Sequence, residues 1–270
     1  NLALLKNPSS ASHLIHIFEV KFSPYDTYGS TDKRLKRTLP KLIQQFNESL
    51  NDVSDFASDT ILRHLLDLIK NTLRTNAFHH TPHKDYILAF KINPKKIPFM
   101  SHPRLFREIF VYGHHVSGIH LRFGPISRGG LRWSNRLDDF RLEIFDLVKT
   151  QQTKNAVIVP EGSKGGFIIK DLAQTPENSS IVYKQFIESL LSVTDNFKDG
   201  NPVSCPGLIC YDSFDPYLVV AADKGTAMLS DIANDISVKS DFWLQDAFAS
   251  GGSNGFNHKE VGITARGAWE

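Results

Sequence analysis

The 270-residue chain has only two cysteines, Cys205 and Cys210. Two in a chain of this size exclude a disulfide scaffold and read as the reduced thiols of an intracellular protein. No apolar run reaches the ~18 residues of a membrane-spanning helix, so a membrane role is not expected. No long basic run appears and the net charge is +2, which argues against a nucleic-acid partner. There is no G-x-G-x-x-G, hence no dinucleotide fingerprint. The phosphate-loop spelling G-x-x-x-x-G-K-[ST] also fails, because Lys164 is followed by glycine. No repeat or low-complexity tract is present. The chain starts at Asn1 rather than Met, with no basic-then-apolar leader behind it. It therefore reads as a piece of a longer, cytoplasmic protein. What remains is 41% hydrophobic and 22% charged. These are ordinary globular values, enough for one large domain or two unequal ones.

Residues 1–80 read as a helical N-terminal segment. "SDTILRHLLDLIKNTLRT" (58–75) gathers Ile61, Leu62, Leu65, Leu66, Leu68, Ile69 and Leu73 on one broad face, with Ser58 or Asp59 as its cap. "KRLKRTLPKLIQQFNESL" predicts a second helix, interrupted or restarted at Pro40. "ASHLIHIFEVKF" mixes helical and alternating periods, and helix is preferred. From about residue 84 the texture changes. "DYILAFKI", "REIFVYG" and "SGIHLRFG" are short β-rich runs, the last two forming a hairpin. A helix over 138–154 follows, with Asp138 and Asp139 in its first turn. "NAVIVPE" and "GFIIK" then read as strands around a tight Gly-Ser-Lys-Gly-Gly turn. "SSIVYKQFIESLLSVTDNF" is an amphipathic helix, "PYLVVAAD" a buried strand and "GTAMLSDIANDIS" a helix. Alternating strands and helices over 84–270 predict an α/β domain, a layered mixed sheet with flanking helices.

Four places carry more polar chemistry than packing requires. In "SRGGLRWSNR" (127–136), Gly129 and Gly130 let a backbone pass close to something, flanked by Arg128 and Arg132. The bland alternative is a tight turn with solvated arginines. The stripe Phe140, Ile144, Leu147, Val148 continues to Gln151 and Lys154, so an inward face turns polar at the helix end. A lysine there could equally complement the helix C-terminus. Lys164 stands among Gly162, Gly165 and Gly166, where a ligand can approach its amine. Asp223 ends the run "YLVVAA", and ligands of α/β sheets gather at the carboxyl ends of strands; otherwise it caps the next helix. The eleven histidines, including His79–His80 and His114–His115, show no metal-ligand spacing and read as surface residues. Trp133, Trp243 and Trp269 read as packing residues.

Taken together, "RGGLRWSNR", "KNAVIVPEGSKGGF", "DPYLVVAADKGTA" and "FASGGSNGFNHKEVGITARGAWE" resemble the catalytic core of the large NAD-specific glutamate dehydrogenases. They are similar, more distantly, to the substrate domain of the shorter glutamate dehydrogenases. The resemblance covers about residues 84–270; the first 78 match less distinctively, although "TLRTNAF" fits the lead-in to the core. It implies a substrate-domain-like fold and NAD-dependent oxidative deamination of L-glutamate to 2-oxoglutarate and ammonium. In the shorter enzymes a lysine before Gly-Gly binds the side-chain carboxylate. Here that place holds Arg128, which keeps the charge and changes the geometry. The α-carboxylate lysine falls on Lys154, its assisting glutamine on Gln151, the water-activating lysine on Lys164 and the proton-shuttling aspartate on Asp223. The interval from Lys154 to Lys164 is two residues shorter than in those enzymes. The implied parent is a homo-oligomer whose NAD is held mainly by a nucleotide-binding domain absent from 1–270. The alternatives are a non-catalytic dicarboxylate-binding or assembly module, or a related amino-acid dehydrogenase.

Overall fold

The computed structural model describes residues 2–25, 33–79, 87–155, 161–223, 226, 228–253, 262, 266, 267 and 269, without the side chains of 154 and 155. Four helices open the chain: α1 (Leu2–Lys6), α2 (Pro8–Phe22), α3 (Leu39–Ser49) and α4 (Phe56–Asn71). A π-helical stretch, Arg34–Thr38, leads into α3, which places Pro40 in its first turn, where the missing N–H costs no hydrogen bond. Their shared core takes Leu14, Ile17 and Val20 from α2, Leu42 and Phe46 from α3, and Leu62 and Leu66 from α4. The cap of α4 is Asp55, which accepts the Ser58 N–H at 2.8 Å; Ser58 and Asp59 lie inside the first turn.

The helix expected over 58–75 stops at Asn71. Thr72–Thr75 is strand β1, antiparallel to β2 (Leu88–Ile92). Lys21 marks the change of direction. Its buried Nζ donates to the carbonyls of Ile69, Lys70 and Thr72 at 2.9, 2.7 and 2.6 Å. These carbonyls lie at and just past the end of α4, where donors one turn further on run out, and the ammonium supplements the Thr72 N–H that reaches Ile69. Burial pulls this lysine down to about 7.

The main sheet continues with β3 (Arg107–Tyr112), β4 (Val116–Arg122), β5 (Ser127–Arg128), β6 (Leu131–Trp133) and β7 (Glu161–Ile169). Its order is β1-β2-β3-β4-β7, every neighbouring pair antiparallel; β5 and β6 both run parallel along the far edge of β7. The expected hairpin is β3–β4. Helix α5 (Phe140–Asn155) covers one face, packing Phe140, Ile144 and Val148 on Ile119, Leu121 and Ile168. Helix α6 (Pro176–Leu191) covers the other, packing Val182, Phe186 and Leu190 on Val111, Phe167 and Ile169. Strands β8 (Asn196–Lys198) and β9 (Asn201–Val203) form a small hairpin. The strand read from "PYLVVAAD" is short. Only Val220–Ala221 (β10) pairs, parallel to β11 (Ala249–Ser250), and Ala222 bridges to Leu131. Helix α7 is Ser230–Lys239, several residues later than the apolar pattern suggested. The architecture is thus a mixed α/β fold with seven α-helices and a mixed sheet among the described residues.

The Gly-Ser-Lys-Gly-Gly stretch is not a turn. It is the interior of β7, a continuous nine-residue strand; residues 156–160, read as the preceding strand, lie outside the described part. The glycines serve close packing. A Cβ on Gly162 would sit 2.7 Å from the Gln152 backbone nitrogen, one on Gly166 2.4 Å from Ile144, and one on Gly165 2.3 Å from Leu131. Helix and edge strand lie directly on this backbone, which only glycine permits.

On the α6 face, the same ends of four strands carry cations: Arg74 (β1), Lys91 (β2), Arg107 (β3) and Arg122 (β4). Three carboxylates from beyond α6 answer them. Arg74 meets Asp195 at 2.6 Å and Asp212 at 2.5 Å, Lys91 meets Asp212 at 2.9 Å and Asp215 at 2.8 Å, and Arg122 grips both oxygens of Asp215. Asp195 also accepts the backbone N–H groups of Cys205 and Asp215. The network fastens segment 205–217 to the sheet. Beside it, burial and then Arg122 push His120 down to about 3, so this imidazole is neutral.

Candidate active site

The site is built on the α5 face of the sheet edge. Along β7, Gly162 and Gly166 face α5, and strand alternation gives Lys164 the same face. Lys164 is 8% exposed. Its Nζ lies 2.5 Å from Oδ2 of Asp223. The two residues that the family's motif order assigns to one site are thus in direct contact. Asp223 follows the Leu131–Ala222 bridge. Its N–H donates to Thr226 Oγ1 at 3.0 Å, and that hydroxyl donates to the Leu131 carbonyl at 2.7 Å. Asp223 is not the cap of α7, whose N-cap position is Leu229.

The Gly129–Gly130 pair separates β5 from β6 on one edge. A Cβ on Gly129 would fall 1.6 Å from the Ser163 carbonyl oxygen, and one on Gly130 3.1 Å from Asp223 Cβ. These glycines let the edge strand pass between β7 and Asp223, so the close approach they permit is that of protein. Arg128 is exposed and pairs in register with Gly162, two residues from Lys164. Gln151 is half-buried, its backbone against Gly162 from the α5 side. Lys154 belongs to the last turn of α5, and its side chain lies outside the described residues. The structure therefore joins Lys164 to Asp223 and brings Arg128 and the Gln151 backbone to Gly162, two residues along β7.

Gln152, Ser134 and Glu143 join this corner without a signal read from the sequence, and Arg132, noted there only as a flank of the glycines, has a specific place in it. Gln152 ties α5 to β7, donating to Glu161 and accepting the Gly162 N–H, each at 2.6 Å. Arg132 donates through Nε to Asp223 Oδ2 at 3.2 Å and through Nη1 to Glu143 Oε1 at 3.0 Å; Ser134 donates to the other Glu143 oxygen at 2.5 Å. Burial opposes the charge of Arg132, but hydrogen bonds to Glu143 and Asp223 outweigh it and raise its pKa. Burial likewise pushes Glu143 up, yet Ser134 and Arg132 hold it below the usual carboxylate range. Strand alternation could have found Arg132, since Leu131 and Trp133 face the other way. Glu143 lies three residues after Phe140, on the margin of the buried stripe.

Chemically, the corner couples an amine and a carboxylate in direct contact, with further cations at its rim. It can hold an anionic ligand and pass a proton. Among the described residues, no group of three or more His, Cys, Asp or Glu side chains could hold a metal ion, and no helix is long and apolar enough to cross a membrane. Trp133 packs against the core, Trp243 packs on Phe197, and Trp269 is 92% exposed, contrary to the packing role expected of it.

The family model described as bacterial NAD-glutamate dehydrogenase, catalytic domain, matches residues 45–270. The NAD-specific glutamate dehydrogenase of Pseudomonas aeruginosa is 48% identical over 99% of the chain, that of Halomonas elongata 46% over 98%, and that of Mycobacterium tuberculosis 45% over 99%. The chain spans 16–17% of the length of these relatives.

Proposed function

The chain belongs to the bacterial NAD-glutamate dehydrogenase family, and from that premise we propose that it supplies the substrate side of the active site of a larger enzyme. The reaction is oxidative deamination of L-glutamate to 2-oxoglutarate and ammonium. The observation that carries this reading is the direct Lys164–Asp223 contact of 2.5 Å on the α5 face. An isolated buried lysine would need one carboxylate for charge balance. What supports catalysis is that Arg128 and the Gln151 backbone meet β7 at Gly162, two residues from Lys164.

In this reading Arg128 and Lys154 anchor the two carboxylates of the substrate, with Gln151 assisting at the α-carboxylate. Their charges orient Cα, and orientation is the larger part of what a protein contributes to such a step. Lys164 activates the water that attacks the oxidised carbon. Asp223 accepts the proton from the substrate nitrogen and returns it to the departing ammonia. Gly129 and Gly130 keep the edge strand close enough for this. A substrate-domain-like fold, cytoplasmic location and a homo-oligomeric parent belong to the same proposal.

NAD supplies the two-electron oxidation when bound in the parent. The residues described here do not fit it. The parallel β6–α5–β7 unit enters its helix through residues 134–139, which lack glycine and carry Asp138 and Asp139, and carboxylates there repel a pyrophosphate. NAD is therefore assigned mainly to parts of the parent outside this chain. The test is Lys164→Ala in the full-length parent, followed by NADH absorbance with glutamate. Loss of a general base lowers kcat by about 10² to 10⁴. A kcat within a few-fold of wild type removes Lys164 from catalysis.

A further inference from the structure

Asp223 receives two cations on the same oxygen: Lys164 Nζ at 2.5 Å and Arg132 Nε at 3.2 Å. Only one of them can take part in proton chemistry. An arginine stays charged at every physiological pH, whereas a lysine amine can lose its proton. Once Lys164 has released its proton to solvent, so that its amine can take one from water, the Lys164–Asp223 ion pair disappears and the carboxylate loses one of the two groups that aim it. Arg132 remains. Its guanidinium is itself fixed, because Glu143 takes the Nη1 side and Ser134 holds the second Glu143 oxygen. A planar fork engaged on two sides cannot swing, and a lysine in its place could not span both carboxylates.

We propose that Arg132, clamped by Glu143 and Ser134, is the positioning residue that keeps Asp223 aimed and ionised while Lys164 cycles through its neutral form. This rests on the catalytic reading of Lys164 and Asp223 given above. Among the described residues, the charged groups at Asp223 are Lys164 from β7 and Arg132 from β6. Glu143 from α5 lies one contact further, and Arg136 stands beyond it, paired with Asp139.

The test uses the full-length parent and the pH dependence of kcat/KM for glutamate oxidation, whose acid limb reports the groups that must be unprotonated in the free enzyme, here the coupled Lys164–Asp223 pair. Arg132→Gln removes one cation from Asp223 and should move the acid limb to higher pH by about one unit. Glu143→Gln removes the competitor for Arg132, commits the guanidinium to Asp223 alone, and should move the limb to lower pH. Arg132→Lys should leave the limb near wild type while kcat falls about 10- to 100-fold, since charge survives and alignment does not. A purely structural role would not shift the limb in opposite directions. Glu143→Gln is nearly isosteric and keeps the test alive if Arg132→Gln misfolds, which melting curves reveal. An active parent whose limb stays put in Glu143→Gln, and in any folded Arg132→Gln, overturns the positioning role alone. A wild-type parent without glutamate-dependent NADH formation overturns the proposed function and this inference with it.

Discussion

Asp215→Asn is the sharpest test of what holds the two layers together. Asp215 takes Arg122 on both oxygens and Lys91 at 2.8 Å. Burial pushes its pKa up, but Arg122 and then Lys91 outweigh that and hold it at about 2, against an ordinary 3.8. By linkage, that difference contributes about 2 kcal/mol at neutral pH. Substitution also leaves four buried cations facing two carboxylates instead of three, and an unpaired buried charge costs about 3 to 5 kcal/mol. The variant should therefore lose about 2 to 5 kcal/mol in urea unfolding at pH 7. Because the folded pKa is depressed, the stabilisation is complete above 3.8 and disappears as pH falls through about 2. Wild type and variant should thus converge between pH 4 and pH 2. A loss under about 1 kcal/mol at pH 7, or a difference that persists undiminished at pH 2, would refute the network's role.

Two further outcomes follow from the geometry. Gly129→Ala places a Cβ where the Ser163 carbonyl already stands and should cost about 3 kcal/mol or more. Gly200→Ala has φ +75 and open space around it and should cost about 1 kcal/mol; equal melting temperatures for the two variants would contradict the edge packing. The 270-residue chain alone should bind 2-oxoglutarate no tighter than about 1 mM, near −4 kcal/mol, and form no NADH from glutamate. Calorimetry and an absorbance assay check both, and sustained NADH formation would place a nucleotide site within these residues.

Local sequence carried the helices well and their ends poorly. Pro8–Phe22 is helical, the preferred reading of a segment whose spacing is mixed, yet the stripe through Ile69 ran on to Leu73 and hid the switch at Thr72, where Lys21 caps the helix and β1 pairs with β2. Glycine density at 162–166 signalled a turn because a turn is the usual reason for it; here the reason is the backbone of α5 and the side chains of Ile144 and Leu131. Lys164 and Asp223 were legible as a pair through the family's motif order. Glu143 was not, since a carboxylate on a helix margin looks like solvated surface until Arg132 meets it. Nor was the ion network legible. Lys91 shares the inward parity of Ala89, and Arg107 that of Ile109, but a cation at an inward position is interpretable only with its carboxylate in view, some hundred residues away in Asp212 and Asp215.

Arg74 is contributed by the strand that closes the helical segment, while Asp195 and Asp212 come from the far side of α6. A gene divided between positions 76 and 87 would send a guanidinium into one polypeptide and its two carboxylates into the other. Neither half could be grafted onto a foreign scaffold without carrying a desolvated charge that has lost its counterpart. Supplied together, the halves have a reason to find each other. For anyone dissecting or shuffling this protein, the helical opening is not a detachable cassette but one of two complementary parts.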